Sequence, residues 1–256
     1  MVKGIDTFKD FFKGFEDNYI IIGGTACDIL EEQAGFRPRA TKDIDMILVV
    51  EALTPEFGLK FWEFIQAGKY ENNQESKEER QYFRFSKPQN PAYPKQIEIF
   101  SRKPDVIQIP EGTRLTPIPM DEEISSLSAI LMDDEYYKYT LENSTIADGL
   151  HIADRKSLIC LKAKAYNDLS KRKQEGQNID SNNIKKHKSD IFRIAVLLTD
   201  EDINDLPDGM KKDLSGFCNA IKEEIPDSKF FKDYGIIIEP KDVFEKLCST
   251  FHIEGL

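Results

Sequence analysis

Tyr19-Ile20-Ile21-Ile22-Gly23-Gly24-Thr25 and, farther along, Asp43-Ile44-Asp45-Met46-Ile47-Leu48-Val49-Val50 decide the fold between them. The first stretch is an apolar run ending in two glycines, which can bend sharply and expose backbone N–H groups. The second is an apolar run that opens with two carboxylates one residue apart. Side chains at i and i+2 of a strand share a face, so Asp43 and Asp45 are expected to point together. Two carboxylates on one face repel unless a cation sits between them. Such a pair suits Mg²⁺ or Mn²⁺, which combines one or two carboxylates with the phosphates of a substrate. Taken singly the parts say little, because Gly-Gly after a strand is usually an ordinary turn and Asp-x-Asp a solvated strand start.

A third acid changes the weighing. Lys95-Gln96-Ile97-Glu98-Ile99-Phe100 alternates polar and apolar side chains as a half-buried strand does. Glu98 on a neighbouring strand would complete a three-carboxylate site of the kind two-metal phosphoryl chemistry uses. The order Gly-Gly-Thr, Asp-x-Asp, later acid resembles the DNA polymerase beta-like nucleotidyltransferase superfamily. Ile22-Gly23-Gly24-Thr25-Ala26 with Arg39-Ala40-Thr41-Lys42-Asp43-Ile44-Asp45 is similar to its AbiEii-type branch, which includes toxins of toxin–antitoxin pairs. The likeness covers residues 19–50, reaches Glu98, and extends thinly to 156–193. Two features depart from the pattern: a long gap before the Asp pair, and Glu98 where Asp is more usual.

The resemblance implies an α/β (α+β) fold, with a mixed-sheet catalytic domain followed by a helical one. It implies a nucleotidyltransferase that moves a nucleoside monophosphate from a nucleoside triphosphate to a hydroxyl, with Mg²⁺ or Mn²⁺ as cofactor. Asp43, Asp45 and Glu98 would be catalytic and metal-binding, and Gly23, Gly24 and Thr25 would cradle the triphosphate. Lys162 in Leu161-Lys162-Ala163-Lys164-Ala165 best matches the branch's triphosphate lysine, with Lys164 as neighbour. The bland alternative is two solvent-facing lysines. Lys186, Lys188 and Asp190 carry over from a later basic motif, although Asp190 pairing with a lysine across helices would also account for them. An RNA acceptor and an antitoxin partner belong to this reading. An antibiotic or small-molecule adenylyltransferase, or a degenerate nucleotide-binding module, are the alternatives.

The chain of 256 residues is 40% hydrophobic, enough for one large or two modest domains. No window approaches eighteen apolar residues and Met1-Val2-Lys3-Gly4 opens no signal-peptide core, so a cytoplasmic protein without membrane contact is expected. Four cysteines and three histidines are scattered without ligand spacing, which disfavours zinc and a histidine triad. The net charge of −11 argues against a general nucleic-acid scavenger. Between Arg155 and Arg193, however, eleven Lys/Arg face four acids, leaving that segment at +7 and the remainder at −18.

Helical spacing of Phe8, Phe11, Phe12 and Phe15 predicts a packed helix over 6–17, capped by Asp6 or Thr7. Further helices are expected over about 25–32, 59–68, 157–169, 190–198, 207–225 and 240–251. Strands are expected at 19–22, from Asp43, at 81–86, 95–101, 106–109, 124–132 and 136–141, the last two joined by an Asp133-Asp134 hairpin turn. Tyr70–Arg80 reads as a mobile loop. The division follows as a catalytic domain over 1–154 and a helical domain over 155–256.

Overall fold

The computed structural model describes residues 2–39, 41–73, 82–100, 130–131 and 133–253. The chain forms two compact units. The first comprises Met1–Asp28, Arg39–Met120 and Ser144–Ala153; the second comprises Ile29–Pro38, Asp121–Asn143 and Asp154–Leu256. Ile29–Pro38 and Asp121–Asn143 thus group with the later helices.

The first unit holds a mixed seven-stranded sheet in the order β3-β4-β5-β2-β1-β7-β6. Its strands are β1 (Tyr19–Ile22), β2 (Asp43–Leu48), β3 (Glu71–Asn73), β4 (Tyr82–Ser86), β5 (Gln96–Phe100), β6 (Ser144–Ala147) and β7 (Leu150–Ala153). β2 runs parallel to β5 and antiparallel to β1, while β1 runs parallel to β7. β1 is buried on both faces, so it reads as a continuous apolar run. α1 (Ile5–Phe11) and α3 (Pro55–Gly68) supply an aromatic core in which Phe8, Phe12, Tyr19 and Phe64 meet at centroid distances of 4.6–6.2 Å. Thr54 caps α3 by accepting from the Phe57 amide, and Pro55 occupies its first turn. α1 is shorter than expected. Gly4, in the left-handed region, precedes it in place of an Asp6 or Thr7 cap.

The second unit is helical: α4 (Asp134–Glu142), α5 (Arg155–Gln174), α6 (Ser181–Ala195), α7 (Asp208–Ile221), α8 (Ser228–Asp233) and α9 (Pro240–Thr250). α2 (Gly23–Gln33) begins among the residues of the first unit and ends among those of the second.

The mixed sheet with its helices is the expected α/β class, but three expectations fail. Tyr136–Leu141 is helical, not a strand, and Asp133 is no hairpin turn: it caps α4 by accepting from the Glu135 amide at 2.9 Å. Of the strand expected over 124–132 only Ile130 and Leu131 are described, and both are helical. The hairpin in this region lies instead at β6–β7, turning on Asp148 and Gly149. Glu71–Asn73 of the expected loop pairs with β4 as a strand. The strand expected at 106–109 lies outside the described residues.

Candidate active site

Alternation along β2 sorts the site. Ile44 and Met46 are fully buried, while Asp43 and Asp45 share the opposite, half-buried face. β5 lies alongside in parallel register, with Gln96 beside Asp43 and Glu98 beside Asp45. On the other side Ile22 is opposite Asp45, so the chain leaves β1 at Gly23 next to that carboxylate. The sheet thus brings Gly23, Asp43, Asp45 and Glu98 together within one unit.

Gly23 has φ +66, and a Cβ there would overlap Asp45 Oδ2, so glycine is required both for the turn and for the approach. A Cβ on Gly24 would stand 2.6 Å from Thr41 Oγ1. Thr25 is buried, and its hydroxyl donates to the Asp43 carbonyl oxygen, fastening the first turn of α2 to the start of β2. Asp28, one turn on, accepts from the Thr41 amide at 2.8 Å. The Gly-Gly-Thr turn and the Asp pair are therefore one hydrogen-bonded assembly. Helix first-turn N–H groups lack intrahelical partners, and here they belong to Gly23 through Ala26.

Glu98 is 6% exposed. Its Oε1 accepts from Arg84 Nε at 2.7 Å and from Gln96 Nε2 at 2.7 Å. Arg84 is opposite Glu98 on β4, so Arg84, Glu98 and Asp45 form one cross-strand row. Among the described residues no group of three or more His, Cys, Asp or Glu side chains is arranged to hold a metal ion. On this face the third carboxylate is engaged by a cation of the chain itself.

The lysines singled out in the sequence lie in the second unit, and Lys162, Lys164 and Lys188 each have an acidic partner. Lys162 does not face solvent: it is 5% exposed, and its Nζ donates to Asp190 Oδ2 at 2.7 Å. That is the cross-helix pairing of α5 with α6 that the later basic motif allowed. Arg193 Nη1 lies 3.5 Å from Asp190 Oδ1, its Nη2 pairs with Glu31, and its guanidinium stacks over Tyr234 at 4.4 Å. Burial works against the Arg193 charge, but the Glu31 and Asp190 carboxylates outweigh it and raise its pKa. Two cations and two carboxylates thus balance inside the unit. Lys164 donates to Asp213 Oδ2 at 2.6 Å, which also accepts from the Tyr136 hydroxyl at 3.0 Å. Lys188 donates to the Glu224 carbonyl oxygen at 3.1 Å.

Sequence reasoning passed over Arg84, Gln96, Glu31 and Arg193. Arg84 carried a usable signal: it is the polar residue between Phe83 and Phe85, on the strand that pairs with the one bearing Glu98. Glu31 and Arg193 carried none, since their meeting depends on packing between residues far apart in the chain.

No family model matches the chain, and no curated protein matches its sequence. Among solved structures, the chain is similar to the crystal structure of an antigenic nucleotidyltransferase-like protein from Paracoccidioides brasiliensis. The two share 12% identity with a TM-score of 0.50 over 96% of this chain and 91% of that one. At that identity the likeness concerns the fold, and the fold is nucleotidyltransferase-like.

Proposed function

We propose that this chain is a metal-dependent nucleotidyltransferase, moving a nucleoside monophosphate from a nucleoside triphosphate to a hydroxyl acceptor. The observation that carries the reading is the row of Asp45 and Glu98 on adjacent parallel strands, with Asp43 on the same face and the Gly23 turn packed against Asp45. The residues fit a divalent cation in their chemistry: two half-buried carboxylates on one face of a strand offer the hard oxygen donors that Mg²⁺ or Mn²⁺ takes together with substrate phosphates. Asp43 and Asp45 would hold Mg²⁺ or Mn²⁺, which when bound supplies neutralisation of phosphate oxygens. The N–H groups opening α2 would bind the outer phosphates, favoured by the helix dipole. The Thr25 hydroxyl, donated to Asp43, would position β2. Glu98 would orient or deprotonate the acceptor once Arg84 no longer commands its Oε1.

Lys162 would reach a triphosphate only in competition with Asp190. That pairing, together with the Arg84–Glu98 pair, favours a second reading, a degenerate nucleotide-binding module that retains the fold without turnover. Within the enzyme reading, the AbiEii-type resemblance points to a toxin that modifies RNA and is countered by an antitoxin; an antibiotic acceptor is the runner-up. Incubation of labelled triphosphates with total RNA, cell lysate and an aminoglycoside panel separates these. Label transferred with Mg²⁺ by the wild type, but not by Asp43→Ala or Asp45→Ala, is the expected result. Tight triphosphate binding with no transfer to any acceptor selects the module.

A further inference from the structure

The Glu98 carboxylate is held unevenly. Among the described residues, the two donors that reach it, Arg84 Nε and Gln96 Nε2, converge on Oε1. The Arg84 side chain is 14% exposed and that of Glu98 9%, so the pair is screened little by solvent. It stands in the cross-strand row that includes Asp45. A fixed positive charge two strands from Asp45 lowers the attraction of this face for any cation, because strands are about 4.8 Å apart and Coulomb effects persist over that range in a half-buried setting.

We infer that Arg84 is a built-in counter-cation for Glu98 that couples metal binding to triphosphate binding. The inference rests on the nucleotidyltransferase reading and names a regulation of its site. With the face empty of ligand, Arg84 neutralises Glu98, leaving Asp43 and Asp45 as the weak, two-carboxylate hold on a divalent cation. A triphosphate brings several negative charges, which offset Arg84 and draw on its guanidinium as an anion partner. Metal and triphosphate therefore strengthen each other's binding, and by linkage the strengthening is reciprocal. The device keeps a free divalent ion from settling at the site without its nucleotide. Arg84 is a positioning residue that acts through Glu98 and the local field.

The test is Mn²⁺ affinity measured by electron paramagnetic resonance on the intact protein, with and without a non-hydrolysable triphosphate. Arg84→Gln should bind Mn²⁺ alone about tenfold or more tightly than wild type, and the gain in Mn²⁺ affinity on adding triphosphate should shrink. Arg84→Lys, which keeps the charge, should stay near wild type in Mn²⁺ affinity. Glu98→Gln should weaken Mn²⁺ binding by leaving Arg84 uncompensated, and the double variant Arg84→Gln/Glu98→Gln should return close to wild type. Melting curves identify any variant that fails to fold, and the double variant, which leaves no buried charge of the pair, then supplies the comparison. Unchanged or weaker Mn²⁺ binding in folded Arg84→Gln overturns the inference while leaving the active-site reading standing. Mn²⁺ binding unaffected by Asp43→Asn and Asp45→Asn overturns both.

Discussion

Single residues separate the site from its surroundings in ways the sequence showed only in part. The Asp pair was legible because strand alternation fixes which side chains share a face, and Asp43 and Asp45 do share one. Which glycine matters was not legible. The strained position is Gly23, with φ +66 and its α-hydrogens against Asp45, whereas Gly24 is close to Thr41. Bulk at Gly24 would therefore disturb Thr41 whether or not a phosphate binds there, so Gly23 is the sharper probe. Gly23→Ala should cost about 1–3 kcal/mol in urea unfolding, through left-handed strain and overlap with Asp45. Asp43→Ala and Asp45→Ala should lose roughly a hundredfold or more in transfer rate, read beside urea unfolding that checks the fold of each variant. A second pair of expectations concerns the lysines. Lys162→Ala leaves Asp190 buried with one cation fewer and should cost about 3–5 kcal/mol. Lys164 is a third exposed, so Lys164→Ala should cost about 1 kcal/mol or less. Equal costs in denaturation would mean that the Glu31–Arg193–Asp190–Lys162 cluster does not act as a unit.

At the scale of elements, the misreadings share a physical cause. Tyr136-Tyr137-Lys138-Tyr139-Thr140 is rich in aromatic and β-branched residues, which favour strands. Its buried positions, Tyr136, Tyr137, Tyr139 and Thr140, nevertheless fall at helical spacing, and Asp133, Asp134 and Glu135 supply a cap and an acidic first turn. Tertiary burial and capping outweigh local preference there. Asp133→Ala should accordingly destabilise by about 0.5–2 kcal/mol, and Asp133→Ser much less, as read by thermal unfolding. The β6–β7 hairpin was legible and overlooked. Asp148 and Gly149 both have positive φ, at 50° and 74°, the requirement of a two-residue turn that Asp-Gly meets with little strain. α5 offers a pH test. Its cap, Asp154, accepts from the Ser157 amide, yet burial raises the Asp154 pKa above the ordinary carboxylate value. A raised folded-state pKa means the folded chain binds that proton more readily than the unfolded one. Its contribution to stability is present below the unfolded pKa and is lost as pH rises through the folded one. Asp154→Asn keeps a capping oxygen and removes the charge. Relative to wild type it should gain stability between weakly acidic and neutral pH, with the difference fading on acidification.

For the whole molecule, charge is where composition misleads most. The segment from Arg155 to Arg193 reads as +7, yet among the described residues five acids outside it are spent on its cations: Glu31 on Arg193, Asp154 on Lys156, Asp202 on Arg155, Asp213 on Lys164 and Glu224 on Lys188. Five of the seven excess charges are thereby offset locally. Sequence cannot show most of this, because every partner but Asp154 lies far along the chain. The fold, by contrast, survives at 12% identity with its structural neighbour, since it rests on apolar periodicity that many sequences satisfy. If a structured RNA is the acceptor, the exposed basic residues of the segment that could meet it include Lys185 on α6 and, near the end of α5, Lys171 and Lys173, with Arg172 beside them. Arg172 lies 3.4 Å from Asp168 and Lys171 lies 3.9 Å from Glu175, so phosphate contact would exchange one partner for another and release fewer counterions than three free cations would. RNA affinity should then fall with salt along a shallow slope. Replacing Lys171, Arg172 and Lys173 together by Ala should flatten that slope by about one to two counterions and leave triphosphate affinity unchanged, as followed by fluorescence anisotropy across a salt series. A slope untouched by the triple replacement would move any RNA contact off this helix end, and labelling confined to small molecules would move the acceptor away from RNA altogether.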